Sequence, residues 1–106
     1  WPAAPRPVLA SDLLPERALM GDGHARRALA DHVFGALSEH GGDLLATLEA
    51  FLDAGSIEGT ARRLFIHANT VRYRLGRVED VTGFSPHDPR DAYALRLGLS
   101  LGRILG

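Results

Sequence analysis

The sequence predicts an all-α protein, a small helical bundle containing a helix-turn-helix. Apolar residues recur at helical spacing in one segment after another, and no stretch sustains the alternation of a half-buried strand. Candidate caps and glycine stops divide these segments from one another. Between two helices with one apolar face each, only Phe65, Ile66 and His67 intervene, a connection so short that the pair must cross sharply.

Trp1–Val8 (WPAAPRPV) carries three prolines, so residues 1–10 should be an extended lead-in or linker. Residues 11–42 read as an N-terminal helical segment. Ser11 and Asp12 are cap residues for a short helix to about Met20, stopped by Gly21. From His24 to about Ser38, Ala25, Ala28, Leu29, Val33, Ala36 and Leu37 mark a second helix, broken at His40-Gly41-Gly42. Residues 43–106 form the helix-turn-helix domain. Asp43 is expected to cap a helix carrying Leu44, Leu45, Leu48, Phe51 and Leu52, ended by Ala54-Gly55. Ser56 caps the next, with Ile57, Ala61 and Leu64 on one face, and the small Ala61 is expected where the two helices of the motif approach most closely. After the turn a helix begins at Ala68 with Val71, Leu75 and Val78 at i, i+4 and i+7, and Gly83 ends it. Ser85–Pro89 is a turn, and the last helix runs from Pro89 or Arg90 to about Ile104, presenting Ala94, Leu95, Leu97, Leu99 and Leu101.

The 106 residues, 45% hydrophobic and 24% charged, suit one small domain. Cysteine is absent, which excludes a disulfide framework and a thiolate zinc site and agrees with a reducing, cytoplasmic setting. No apolar run approaches the roughly 20 residues of a spanning helix, so no membrane partner is expected. The chain starts at Trp1 without a signal peptide, and it is expected to be a piece of a longer protein.

The net charge of −1 conceals an asymmetry. Arg62, Arg63, Arg72, Arg74 and Arg77 fall between Thr60 and Val78 with no acid among them, while seven of the twelve arginines and all thirteen acids lie elsewhere. A segment of opposite charge to its own protein suits an anionic partner. At roughly 100° per residue, Val71, Leu75 and Val78 form the inward stripe of the helix from Ala68. Asn69, Tyr73 and Arg77 lie nearly opposite, Thr70 and Arg72 flank them, and Arg74 sits near the buried stripe, from where it would snorkel outward.

These side chains can read DNA. Arginine bonds bidentately to the guanine edge and asparagine to the adenine edge. Threonine and tyrosine hydroxyls and further arginines hold phosphate, which fixes register. A bare helix N-terminus near Ala68–Thr70 would add unpaired N–H groups to the phosphate site, and in a helix-turn-helix that end of the second helix enters the major groove. Arg62 and Arg63, on the preceding helix, are expected at the phosphate backbone. His67 either caps the second helix or touches phosphate.

The run TARRLFIHANTVRYRLGRVEDVTG, followed by DPRDAYALRLGL and preceded by LLATLEAFLDAGSIEGTA, resembles the C-terminal helix-turn-helix of the PucR/CdaR family of bacterial transcriptional regulators. The likeness covers about residues 43–105, with H-x-N-T-V-R-Y-R-L its most specific part; a looser likeness extends to Fis-type helix-turn-helix motifs. The resemblance implies that residues 56–64 are the supporting helix and 68–82 the recognition helix. It further implies a longer protein with sensor domains N-terminal to this chain, a small-molecule effector bound there, double-stranded DNA as partner and a homodimer or higher homo-oligomer. Phe65 stands where many such motifs have glycine; a bulky residue argues against a left-handed backbone there, so the turn is expected to be built differently.

Other chemistries find little support. His24, His32 and His40 recur every eight residues, but each step turns a helix by roughly 80°, so they do not converge on a metal and are expected on the surface. Glu49, Asp53 and Glu58 are scattered, and none of the five serines lies in a Gly-x-Ser-x-Gly elbow. No glycine-rich phosphate loop is present, and neither catalysis nor a cofactor is expected. The competing reading is a helical protein-interaction module that docks an acidic partner through its arginine face. The leucines of the last helix, with Leu13, Leu14 and Leu19, serve either a subunit contact or a core beneath the N-terminal helices.

Overall fold

The computed structural model describes residues 15, 16 and 23–105. Besides the helical pair Pro15-Glu16, the described residues form five helices and no strand. Helix α1 comprises Gly23–Ala30, a π-helical turn Asp31–Gly35 and Ala36–Ser38, with right-handed backbone kept at both junctions. Then follow α2 (Asp43–Ala54), α3 (Ile57–Leu64), α4 (Ala68–Thr82) and α5 (Pro89–Leu105). The lead-in over residues 1–10 lies outside the described residues, as does the first expected helix apart from Pro15 and Glu16. The Glu16 carboxylate accepts from Arg90 of α5 at 2.5 and 2.9 Å.

Several helix ends have a local cause. Ser56 caps α3 as expected, its Oγ accepting from Gly59 N at 3.0 Å. At α2 the N-cap is Gly42, with no side-chain cap bond. Asp43 is instead the first helical residue, where its charge meets the positive end of the helix dipole. Pro89 opens α5, a position where its missing N–H costs nothing. Ahead of it Asp88 Oδ2 accepts from Asp91 N, and the buried Asp91 carboxylate accepts from Ser85 N at 2.9 Å. Helices α2 and α4 close on glycines in left-handed backbone, Gly55 (φ 80°) and Gly83 (φ 79°).

The core joins Leu29, Val33 and Leu37 of α1 to Leu44 and Leu48 of α2, Val78 of α4, Phe84, and Leu95 and Leu99 of α5. Leu97 and Leu101 pack half-buried against it, so most of the last helix's leucine is used within the chain; Ile104 stays 77% exposed. The α1–α5 contact is the most extensive. There Gly98 lies under Val33 and Gly102 under Phe34, and a Cβ at Gly98 would stand 2.7 Å from Val33 Cβ.

The π-helical turn lets three consecutive residues of α1 reach different partners. Val33 enters the core and Phe34 meets Gly102. His32 turns to α4, where its Nε2–H donates to the Thr82 carbonyl at 2.6 Å, and its ring meets Phe84 edge-on. His24 and His40 are exposed as expected, but His32 is half-buried, because the last carbonyls of a helix lack internal partners and one of them binds it. Thus α1 ties the C-terminal end of α4 to the scaffold. No helix of the described residues is long and apolar enough to cross a membrane.

Candidate nucleic-acid interface

Helices α3 and α4 pack on each other and both pack on α2. In α3 the fully buried residue is Thr60, whose hydroxyl donates to Ser56 O at 2.7 Å; Ala61, expected at the closest approach, is half-buried. In α4, Val71, Leu75 and Val78 are buried to within 1% of completeness. This confirms the inward stripe.

The turn between them departs from expectation. Phe65 has φ 58° and ψ 44°, the left-handed conformation that a bulky residue was expected to avoid. It is the sole non-glycine residue with positive φ among those described. The Ala61 carbonyl accepts from Phe65 N and, at 3.1 Å, from Ile66 N. The turn is therefore the one a glycine would make, with the strain carried by phenylalanine, a cost of about 1–2 kcal/mol. The ring can occupy the site because it is 93% exposed and crowds nothing.

His67 follows in extended backbone and caps α4, its Nδ1 accepting from Asn69 N at 3.0 Å. Its carbonyl accepts from Thr70 N at 3.0 Å and Val71 N at 3.2 Å. The start of α4 is thus capped, not bare. Of the N–H groups at Ala68–Thr70, those of Asn69 and Thr70 are used within the chain.

The face opposite the buried stripe is open. Asn69, Arg72 and Tyr73 are exposed, Tyr73 by 69%, and Thr70 is half-buried at its edge. Arg72 Nη1 donates to Asn69 Oδ1 at 2.8 Å, one turn back along the helix. Such exposed pairs contribute only about 0.2–0.5 kcal/mol, so both groups can be re-paired at small cost.

The five arginines divide into two sets. Arg63 holds Asp53 of α2 at 2.5 Å, and Arg77 lies 3.4 Å from Asp80 one turn on. Arg74, expected to reach outward, runs back over α2: its guanidinium contacts Thr47 Oγ1 at 3.4 Å and lies 3.7 Å from Asp43, with its side chain 24% exposed. Among the described residues, Arg62 and Arg72 are exposed and have no carboxylate partner. The Arg77–Asp80 spacing is readable in the sequence. The pairings with Asp53 and Asp43 are not, because they depend on how α2 lies. The exposed phenyl of Phe65 was likewise missed; its only signal is a bulky residue at the turn.

The chain matches the model of the PucR C-terminal helix-turn-helix domain over residues 44–101, more than half its length. It is 43% identical over 63 residues to the purine catabolism regulatory protein of Bacillus subtilis (strain 168), covering 58% of this chain and 12% of that protein. An uncharacterized protein of Mycobacterium tuberculosis (strain ATCC 25618 / H37Rv) is 55% identical over 105 residues. The match covers 98% of this chain but a quarter of that relative's length. Among solved structures, a regulator of polyketide synthase expression from Bifidobacterium adolescentis superposes with a TM-score of 0.86 at 45% identity, covering 98% of this chain and 46% of that one.

Proposed function

The chain belongs to the family of PucR C-terminal helix-turn-helix domains, a DNA-binding type found in transcription regulators, and from that premise we propose that it reads a specific duplex sequence through the exposed face of α4. The observation that carries the reading is the two-sidedness of α4: Val71, Leu75 and Val78 are buried, which commits Asn69, Arg72 and Tyr73 to the outside.

The N-terminal half of α4 enters the major groove. Arg72 and Asn69 exchange their mutual hydrogen bond for base edges, arginine on guanine and asparagine on adenine. Thr70 and Tyr73 hold phosphate through their hydroxyls. Arg62 and Arg63 grip the backbone from α3, Arg63 after leaving Asp53, and Arg77 does so further along α4 after leaving Asp80. His67 acts by capping α4 and so fixing Asn69. Arg74 acts from behind, bracing α4 on Thr47 and Asp43 of α2. The domain, residues 43–106, would be the DNA-binding end of a longer effector-responsive regulator whose effector binds N-terminal to this chain. It would act as a homodimer on half-sites about 34 Å apart, or a multiple of that.

The test is selection of bound duplexes from random DNA, followed by titration of the enriched duplex. An enriched motif, with Arg72→Ala weakening binding about tenfold at unchanged helical circular dichroism, supports the reading. Retention that is independent of salt, or equal affinity of wild type and Arg72→Ala for the enriched duplex, contradicts it. In that case an acidic protein partner becomes the better occupant of the arginine face.

A further inference from the structure

Phe65 bears two costs that the fold does not recover. Its phenyl ring is 93% exposed, and its backbone is left-handed, where the Cβ of an L-residue crowds the neighbouring carbonyl oxygen. Glycine closes α2 and α4 in the same conformation without either cost. Glycine at 65 would serve the turn equally well, so the ring answers to something outside the chain.

Its position indicates what. Phe65 lies between the C-terminal end of α3, which carries Arg62 and Arg63, and the N-terminal end of α4, which carries His67 and Asn69. No acid lies between Thr60 and Val78. Arg62, three residues before the ring, is exposed and without a carboxylate partner among the described residues, so a second copy of this face would bring like charge towards like. An anionic partner with apolar patches fits the surroundings better. Duplex DNA has both, in its phosphates and in the thymine C5-methyl and deoxyribose surfaces.

We propose that Phe65 is a DNA-contacting residue, its ring packed on thymine methyl or deoxyribose beside the phosphates that Arg62 holds. The inference rests on the DNA-binding reading above. The exposed apolar ring and the cationic flank act together: the arginines set the distance to the strand, and the ring excludes water between them. With 93% of its surface exposed, the ring is not packed on α3 or α4.

The experiment compares wild type with Phe65→Gly and Phe65→Tyr on the duplex enriched by selection from random DNA, with Arg72→Ala as reference. Phe65→Gly removes the strain and the ring together, so its melting temperature should be no lower than wild type while its affinity falls about fivefold or more. Phe65→Tyr keeps the ring and should retain affinity. Replacing thymines of the duplex by uracil separates the two surfaces. If the methyl is the contact, uracil at one position weakens wild type but not Phe65→Gly; if deoxyribose is, uracil leaves both unchanged and the Phe65→Gly loss persists. Wild-type affinity in Phe65→Gly, with Arg72→Ala weakened, overturns the role of Phe65 and leaves the DNA reading standing. A Phe65→Gly chain that loses self-association instead of DNA affinity overturns it in favour of a subunit contact. A wild-type chain that enriches no duplex overturns both.

Discussion

The α1–α5 contact and the α3–α4 pair use the same residue types to opposite ends. At α1–α5, glycine is forced by space: Gly98 and Gly102 let α5 lie directly against Val33 and Phe34. On α4, Gly76 is exposed mid-helix with nothing within 4 Å of a Cβ added there. Around α5, arginine serves the fold or its edges: Arg27 of α1 lies 3.4 Å from the Leu105 carbonyl of α5, and Arg96 of α5 donates to the Leu52 carbonyl of α2 at 2.8 Å, each at a helix C-terminus. On α4, Arg72 is held, among the described residues, only by Asn69. The α1–α5 contact is built on close packing, whereas the α3–α4 pair, although Arg63, Arg74 and Arg77 are held within the chain, leaves Arg62, Asn69, Arg72 and Tyr73 on its surface.

Mutations should separate the two. The largest effect is expected at Gly102→Ala. The new methyl would collide with Phe34, and urea unfolding should show a loss of about 3 kcal/mol, with folded molecules still able to bind DNA. Equal stability would mean that α1 can shift away and that this contact is not close-packed. Next comes the DNA-facing side: Asn69→Ala should weaken binding to the enriched duplex by about 2 kcal/mol in a titration, with stability changed by less than about 0.5 kcal/mol. A loss of stability as large as the loss of affinity would erase the distinction between the regions.

His32→Ala tests the tie between them. Removing the donor from the Thr82 carbonyl should cost about 1–1.5 kcal/mol in thermal unfolding. Hydrogen exchange should rise at the C-terminal end of α4 before its N-terminal end. The smallest effect is a gain: Gly76→Ala should raise stability by about 0.5–1 kcal/mol, since the methyl meets open space and glycine is a poor helix former.

The sequence displayed one of these regions better than the other. The boundaries of α3 and α4 were readable because Ser56, the short turn and the Val71–Leu75–Val78 spacing are local signals. Of the outward set on α4, Asn69, Arg72 and Tyr73 followed from that spacing, whereas Arg77, expected nearly opposite the stripe, is half-buried beside Asp80. What escaped depended on the third dimension. Arg74 points to Thr47 and Asp43 because α2 lies behind α4, a relation between residues 27 or more positions apart. The π-helical turn at Asp31–Gly35 has no periodic signature of its own; it reflects contacts of His32, Val33 and Phe34 with two other helices. Thr60 is polar, yet it can be fully buried because Ser56 O satisfies its hydroxyl. The Phe65 inference from the sequence failed for a physical reason too: left-handed backbone is costly for phenylalanine, but the cost is small beside the stability of the whole bundle, and full exposure removes any further clash.

DNA is expected to meet the outer face of α4 and not the α1–α5 side. Amide chemical-shift mapping of the isotope-labelled chain, titrated with the enriched duplex, tests it directly. The largest changes should fall at Arg62, Phe65–Asn69, Arg72 and Tyr73, with α1 and the middle of α5 almost still. Changes concentrated on α1 and α5, with the amides of Asn69, Arg72 and Tyr73 unmoved at saturation, would contradict it.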